Sequence, residues 1–226
     1  MEIIIYCILV KCLNIYMKPK NETHLDSLLN EIEYALDCIY NHESVCDTSE
    51  DVRIELDQKD AKKSESLMRV NHMGEVCAQG LYRGQAAFTK NTKVKEKLYS
   101  ICKEEKTHLS MCNSRLNELN GKRTIFNPVW YLASFTLGVI AARNEKSWQL
   151  GFIEETERQV KIHLDESINM LPEKDYKSKK ILKKIAVDEE KHRKTAKDIG
   201  SKKLPDSIRN SMDILSKIMK KITYHV

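Results

Sequence analysis

Four helical stretches of this 226-residue chain carry acid or imidazole groups on the stripe that should be apolar, and that conflict limits what it can fold into. Over 94–119 the stripe reads Leu98, Ile101, Cys102, then Glu105 and His108, then Leu109, Cys112 and Leu116. Over 175–199 it reads Leu182, Ile185, Ala186, then Glu189 and His192, then Ala196 and Ile199. Over 148–171 Glu157 stands among Ile153, Val160, Leu164, Ile168 and Leu171, and over 64–89 Glu75 stands among Met68, Ala78, Tyr82 and Ala86. Residues three or four apart share a helix face, so each stripe predicts a helix whose buried side includes these polar groups. An unpaired carboxylate in an apolar interior costs several kcal/mol, so a buried set must be protonated, paired or bound to a cation.

Turn signals decide how the four helices meet. Asn91-Thr92 marks a turn after the first, Asn120-Gly121 stops the second, Pro172 breaks the chain between the third and fourth, and Gly200 caps the fourth. Glu75 and the Glu105/His108 pair are equidistant from a midpoint near Lys90-Asn91, and Glu157 and the Glu189/His192 pair from one near Leu171 to Lys174. In two antiparallel hairpins the members of each set therefore meet at one height, with Glu-to-His spacings of 33 and 35 residues. One Glu and one E-x-x-H per hairpin is the ligand set of ferritin-like di-metal carboxylate bundles. The expected fold is thus all-α, a ferritin-like four-helix bundle core of two αα-hairpins joined by a long crossover. Accessory helices flank it at 24–40 and, after Pro205, at 206–223.

The expected metal ligands are Glu75, Glu105, His108, Glu157, Glu189 and His192, with no catalytic group beyond them. Four carboxylates and two neutral imidazoles balance two divalent ions, and oxygen with nitrogen donors points to iron or manganese. Glu154 and Glu155 compete with Glu157, which the stripe and the hairpin symmetry prefer. Glu104 and Glu190, each beside an expected ligand, should face solvent. His72, His163 and Tyr82 are read as packed or outer groups, with Tyr82 able to orient a ligand.

Composition narrows the rest. Glycine and proline total 11 of 226 residues, which favours helix, and a net charge of +5 from 38 basic and 33 acidic side chains leaves no nucleic-acid-binding block. Seven cysteines without a C-x-x-C pair read as reduced, intracellular thiols. The polar segment 47–63 reads as a linker. Residues 124–142 are uncharged and form the most hydrophobic stretch, for which a buried crossover and an interfacial, lipid-binding segment are the leading readings. Residues 1–16 form an apolar extension lacking a basic start or cleavage site; they are a packed or membrane-touching tail, or untranslated if synthesis begins at Met17. The domain expected is then 17–226.

The sequences around the expected ligands, RVNHMGEVCAQGLYRGQA, EEKTHL, GFIEETERQVKIHL and DEEKH, resemble the demethoxyubiquinone hydroxylase family of ubiquinone biosynthesis. The similarity runs from about His24 to the C-terminus and matches all six ligand positions. Asn71, where an aspartate is frequent, and Gly80, where alanine would suit a helix, are its departures; Gly80 should soften the first ligand helix. The resemblance implies a monooxygenase with two Fe ions per chain that uses O2 to hydroxylate the ring of a demethoxyubiquinone or demethoxyubiquinol precursor. It also implies peripheral attachment to the cytoplasmic face of the membrane holding the polyprenyl quinone, a reductant such as NADH, and assembly with itself or other quinone-biosynthesis proteins. Trp130, Tyr131 and Phe135 in the uncharged segment, with Leu215 and Met219 in the C-terminal helix, are candidate substrate or membrane contacts. An iron-handling or peroxide-scavenging ferritin or rubrerythrin relative is the rival reading, and a metal-free membrane-surface bundle a third.

Overall fold

A computed structural model of the chain describes residues 24–40 and 56–226. Among the described residues there are seven α-helices and no strand: α1 (His24–Tyr40), α2 (Gln58–Phe88), α3 (Thr92–Glu118), α4 (Asn127–Ala142), α5 (Lys146–Met170), α6 (Tyr176–Asp198) and α7 (Asp206–His225). The apolar extension and the first part of the expected linker lie outside the described residues. The end of that linker is helical instead, because Asp57 caps α2 by accepting from the Asp60 N–H at 2.8 Å.

The described residues fall into two compact units that divide between Tyr34 and Ala35. In the first, the start of α1 exposes Leu25, Leu28, Leu29 and Ile32. In the second, the end of α1 buries Cys38 and Ile39, and Asp37 pairs with Lys106 of α3 at 2.6 Å.

Helices α2 with α3 and α5 with α6 are the two hairpins. Asn91 caps α3 by accepting from Val94 N–H at 3.1 Å, and Gly200, at φ +104°, takes the left-handed conformation that ends α6. At the end of α3 the left-handed residue is Asn120, at φ +54°, and not the glycine after it. Two apolar clusters fill the bundle. One gathers Ala78, Leu81, Tyr82, Ala86, Val94, Leu98, Ile101, Cys102, Leu150, Ile153 and Ala196; the other gathers Leu67, Met68, Cys112, Leu116, Leu164, Leu171, Leu182, Ile185 and Ala186. Every bundle helix contributes to both, and the polar residues of its stripe fall between the two contributions.

The uncharged segment folds as α4, which lies along α2. Close approach is possible because the facing residues lack side chains. A Cβ at Gly84 would stand 2.1 Å from the Phe135 carbonyl oxygen, one at Gly138 2.1 Å from that of Leu81, and one at Gly80 2.6 Å from that of Tyr131. Gly80 is therefore a contact surface for α4, and the softening expected from propensity misses that role. The opposite face of α4 leaves Val129, Leu132 and Ile140 exposed. Among the described residues no helix is long and apolar enough to cross a membrane.

Asp175 shows how the second hairpin is tied to the first. Its buried carboxylate caps α6 through the Ser178 N–H at 3.1 Å and accepts from Arg115 Nη2 of α3 at 2.8 Å. Burial alone would raise its pKa, yet its polar neighbours Ser64 and Ser178 and the Arg115 charge hold it below the ordinary 3.8. A carboxylate with a depressed folded pKa contributes stability above its unfolded value and loses it as pH falls through the folded one. Asp175→Ala is expected to cost about 2–3 kcal/mol at neutral pH. In urea titrations from pH 7 downward, the gap to wild type should close below about pH 4.

Candidate metal centre

Between the two apolar clusters, Glu75 of α2, Glu105 and His108 of α3, Glu157 of α5, and Glu189 and His192 of α6 converge, none more than 3% exposed. Ligand atoms of Glu75, Glu105, His108 and Glu189 lie within 4.8 Å of one another, and so do those of Glu105, Glu157, Glu189 and His192. Glu105 and Glu189 belong to both sets. The structure thus brings together all six residues of the expected ligand set.

The imidazoles are oriented alike. His108 Nδ1 faces inward, 2.9 Å from Glu105 Oε2 and 3.2 Å from Glu189 Oε1, while its Nε2 faces Asp188 Oδ2 at 3.1 Å. His192 Nδ1 lies 3.3 Å from Glu189 Oε2 and 3.2 Å from Glu105 Oε1, while its Nε2 faces Glu104 Oε2 at 3.2 Å. Each outer carboxylate comes from the residue just before the Glu of the opposite E-x-x-H. Glu104 therefore does not simply face solvent as expected, and Asp188 was not singled out from the sequence at all. The doubled acid before each E-x-x-H, Glu104-Glu105 and Asp188-Glu189, was the available signal. Glu190 does stay at the surface, paired with Arg193 at 2.8 Å. Of the Glu157 rivals, Glu155 pairs with Arg158 and Arg209, and Glu154 accepts from the Ser201 hydroxyl. Tyr82, fully buried, donates its hydroxyl to Glu157 Oε1 at 2.5 Å.

The electrostatics are those of a site that lacks cationic charge of its own. Burial, reinforced by neighbouring Glu105 and Glu189, pushes Glu75 well above the usual carboxylate range, and burial together with Glu189 does the same to Glu157. Burial would lower His108 and His192, yet Glu105 and Glu189 beside them drive the imidazoles up to about 12 and about 10. Glu189 goes the other way: against burial, the hydrogen bonds of Glu157, His108 and His192 hold it ionised. With no cation the cluster neutralises itself with protons; two divalent ions would do the same for four carboxylates and two neutral imidazoles. Each set offers three carboxylate oxygens and one imidazole nitrogen, a donor group that fits iron or manganese.

Beside this cluster a cavity of about 490 Å³ opens among α2, α4, α5 and α7, and Glu75 forms part of its wall. Of the candidate substrate or membrane contacts, Leu215 and Met219 line it and Trp130, Tyr131 and Phe135 do not. Trp130 packs with Val70, Met73 and Met219, while Tyr131 and Phe135 stack on each other with ring centroids 6.4 Å apart. The glycine contact sets the rotation of α4 on α2, so Ser134 and Leu137 reach the cavity in their place. His163, read as an outer or surface group, is also part of the cavity wall.

Among solved structures, the bacterioferritin-related protein of Bacteroides fragilis, a dodecameric thioferritin, shares the fold with a TM-score of 0.51 and 20% identity over 61% of this chain and 84% of its own. Sequence relatives are closer. The 3-demethoxyubiquinol 3-hydroxylase of Xanthomonas euvesicatoria pv. vesicatoria is 40% identical over 205 residues, covering 89% of this chain and 94% of the relative. That of Xylella fastidiosa is 37% identical over 217 residues, covering 95% and 100%. The family described as ubiquinone biosynthesis protein COQ7 matches residues 62–223, a span that contains all six clustered ligand-type residues and the cavity beside them, and the chain belongs to that family.

Proposed function

We propose that this chain is an O2-dependent monooxygenase that hydroxylates the ring of a demethoxyubiquinol, with two irons held by Glu75, Glu105, His108, Glu157, Glu189 and His192. The observation that carries the reading is the pair of buried ligand sets sharing Glu105 and Glu189 beside a cavity whose wall includes Glu75. Glu105 and Glu189, common to both sets, would contribute to holding both ions, with Glu75 and His108 completing one set and Glu157 and His192 the other. Bound iron would supply the oxygen chemistry, in which one atom of O2 enters a ring C–H as hydroxyl and the other leaves as water, with two electrons from a reductant and two protons.

The chain's own residues position and shield. Val70, Met73, Ala78, Leu81, Leu215 and Met219 give the cavity apolar walls that exclude water from the ring. Tyr82 fixes one oxygen of Glu157, and Asp188 and Glu104 fix the outward nitrogens of the two imidazoles so that Nδ1 faces the metal position. Glu104→Ala and Asp188→Ala are each expected to weaken Fe(II) affinity about 10- to 100-fold without changing the final stoichiometry, as read by anaerobic titration. A storage role has no use for such a cavity.

The reading extends to a membrane surface. Trp130 of α4 and Met219 and Tyr224 of α7 share one apolar patch on α2, so the two helices are neighbours there. Both show apolar residues outward, Val129, Leu132 and Ile140 on α4 and Ile214, Ile218 and Ile222 on α7, with Lys217 and Lys221 beside the latter. A polyprenyl tail leaving the cavity past α7 would meet that surface. The test of the whole reading is to reconstitute the protein with Fe(II), supply a short-tailed demethoxyubiquinol with ¹⁸O2 and a reductant, and examine the product by mass spectrometry. Incorporation of one labelled oxygen is the expected result; iron uptake without hydroxylation would refute the reading in favour of iron handling.

A further inference from the structure

Three residues of the cavity wall hold buried polar atoms that have no hydrogen-bond partner among the described residues: Asn71 Oδ1, Thr156 Oγ1 and both ring nitrogens of His163. A buried polar group without a partner costs about 1–3 kcal/mol, so such atoms on residues that line one cavity are candidates to meet a ligand's own polar groups. Their chemistry differs in a way that matters. A threonine hydroxyl can donate or accept, and so can a neutral imidazole through its two nitrogens. His163 is neutral: burial, aided by the nearby Lys220 charge, lowers its pKa to about 3. Either residue can therefore serve a ligand hydroxyl or a ligand carbonyl.

Asn71 cannot. It is 2% exposed, and its Nδ2 donates to the Leu67 carbonyl at 2.8 Å. A carbonyl oxygen only accepts, so the amide nitrogen must face Leu67 and the orientation of the side chain is determined. What remains is Oδ1, an acceptor and nothing else. It lies one helical turn before Glu75, on the same face of α2. A quinone ring offers only acceptors, whereas its reduced form offers two hydroxyl donors.

Resting on the reading of the cavity as the quinol site, we infer that Asn71 selects the oxidation state of the substrate: its Oδ1 accepts a hydrogen bond from a ring hydroxyl of the hydroquinone and disfavours the quinone, whose carbonyl in that place would leave two acceptors facing each other. Asn71 is on this account a specificity-determining residue. The metal-side ligands would then meet a ring that is already reduced, and the enzyme would not be occupied by the more abundant oxidised pool when the membrane is oxidised.

The test is binding, not turnover. Full-length protein with Zn(II), which cannot interconvert the two forms, is dialysed anaerobically against a demethoxyubiquinone of two isoprene units in its oxidised and its chemically reduced state. Bound ligand is quantified by chromatography for wild type, Asn71→Leu and Thr156→Val. Wild type should bind the hydroquinone about tenfold more tightly, the equivalent of one well-made hydrogen bond. Asn71→Leu should bring the two affinities within about twofold of each other, and Thr156→Val should weaken both forms while keeping their ratio. Equal binding of the two forms by wild type, or a preference that survives in Asn71→Leu, would overturn the inference. The wild-type ratio decides even if Asn71→Leu fails to fold, and Asn71→Ala is the second variant. Failure of wild type to bind either form would instead refute the quinol site itself, and the inference with it.

Discussion

Glu189→Ala is expected to take the iron content of the reconstituted protein from about two ions per chain to nearly none, whereas Glu157→Ala or Glu75→Ala should leave about one. The difference follows from which atoms are shared. Glu189 and Glu105 stand in both ligand sets, so losing either removes a donor from both positions, while Glu157 and Glu75 each stand in one. Glu189 is also one of the two carboxylates that His108 and His192 both face inward, at 3.2 and 3.3 Å, and without it the two imidazoles share only Glu105. Hydroxylation should disappear in all three variants, so stoichiometry, read by metal analysis after anaerobic loading and desalting, is what separates them. A second readout is thermal. A metal bound at 100 times its Kd stabilises by about 2.7 kcal/mol, or roughly 5–11 °C in a chain this size, and Fe(II) should shift wild type by that order and Glu189→Ala not at all. Equal loss of iron in Glu189→Ala and Glu157→Ala would mean the sharing is wrong.

Gly84→Val is expected to destabilise the fold by about 3 kcal/mol or more, seen as a fall in Tm of roughly 6–12 °C. Even a Cβ at position 84 would sit 2.1 Å from the Phe135 carbonyl oxygen, which is backbone and cannot rotate away. The helices must then separate. Ser134 and Leu137 of α4 line the cavity together with Ala78 and Leu81 of α2, so separation would also open the wall and weaken substrate binding. Gly74 provides the contrast on the same helix, since a Cβ there meets nothing within 4 Å. Gly74→Ala should stabilise by up to about 1 kcal/mol, the helix propensity difference, with no movement of α4. Similar destabilisation by both substitutions would show that glycine flexibility, and not close approach, is what position 84 supplies.

The sequence by itself determined the helices and which residues of each face inward. Both are properties of a few neighbouring residues: the i, i+3 spacing of Glu105 with His108 and of Glu189 with His192, the caps Asn91 and Asp175, the break at Pro172 and the stop at Gly200. Equal distances from two turns then suffice to bring four helices' polar residues to one level, because an antiparallel hairpin converts chain position into height. Other features depend on how far apart the helices lie and how each is rotated, which no local pattern carries. Glu104, on a partly exposed face of α3, reaches the imidazole of His192, 88 residues away, only because α6 lies alongside. Trp130, Tyr131 and Phe135 are candidate substrate or membrane contacts from the sequence, and with α4 packed on α2 through Gly80, Gly84 and Gly138 it is Ser134 and Leu137 of that helix that line the cavity. Asn71 and His163 line one cavity from α2 and α5, and that Asn71 Oδ1 and the His163 ring nitrogens find no partner among the described residues is a fact about the space around them. The tertiary structure decided these, because unmet hydrogen bonds and excluded Cβ atoms exist only between surfaces that packing has already brought together.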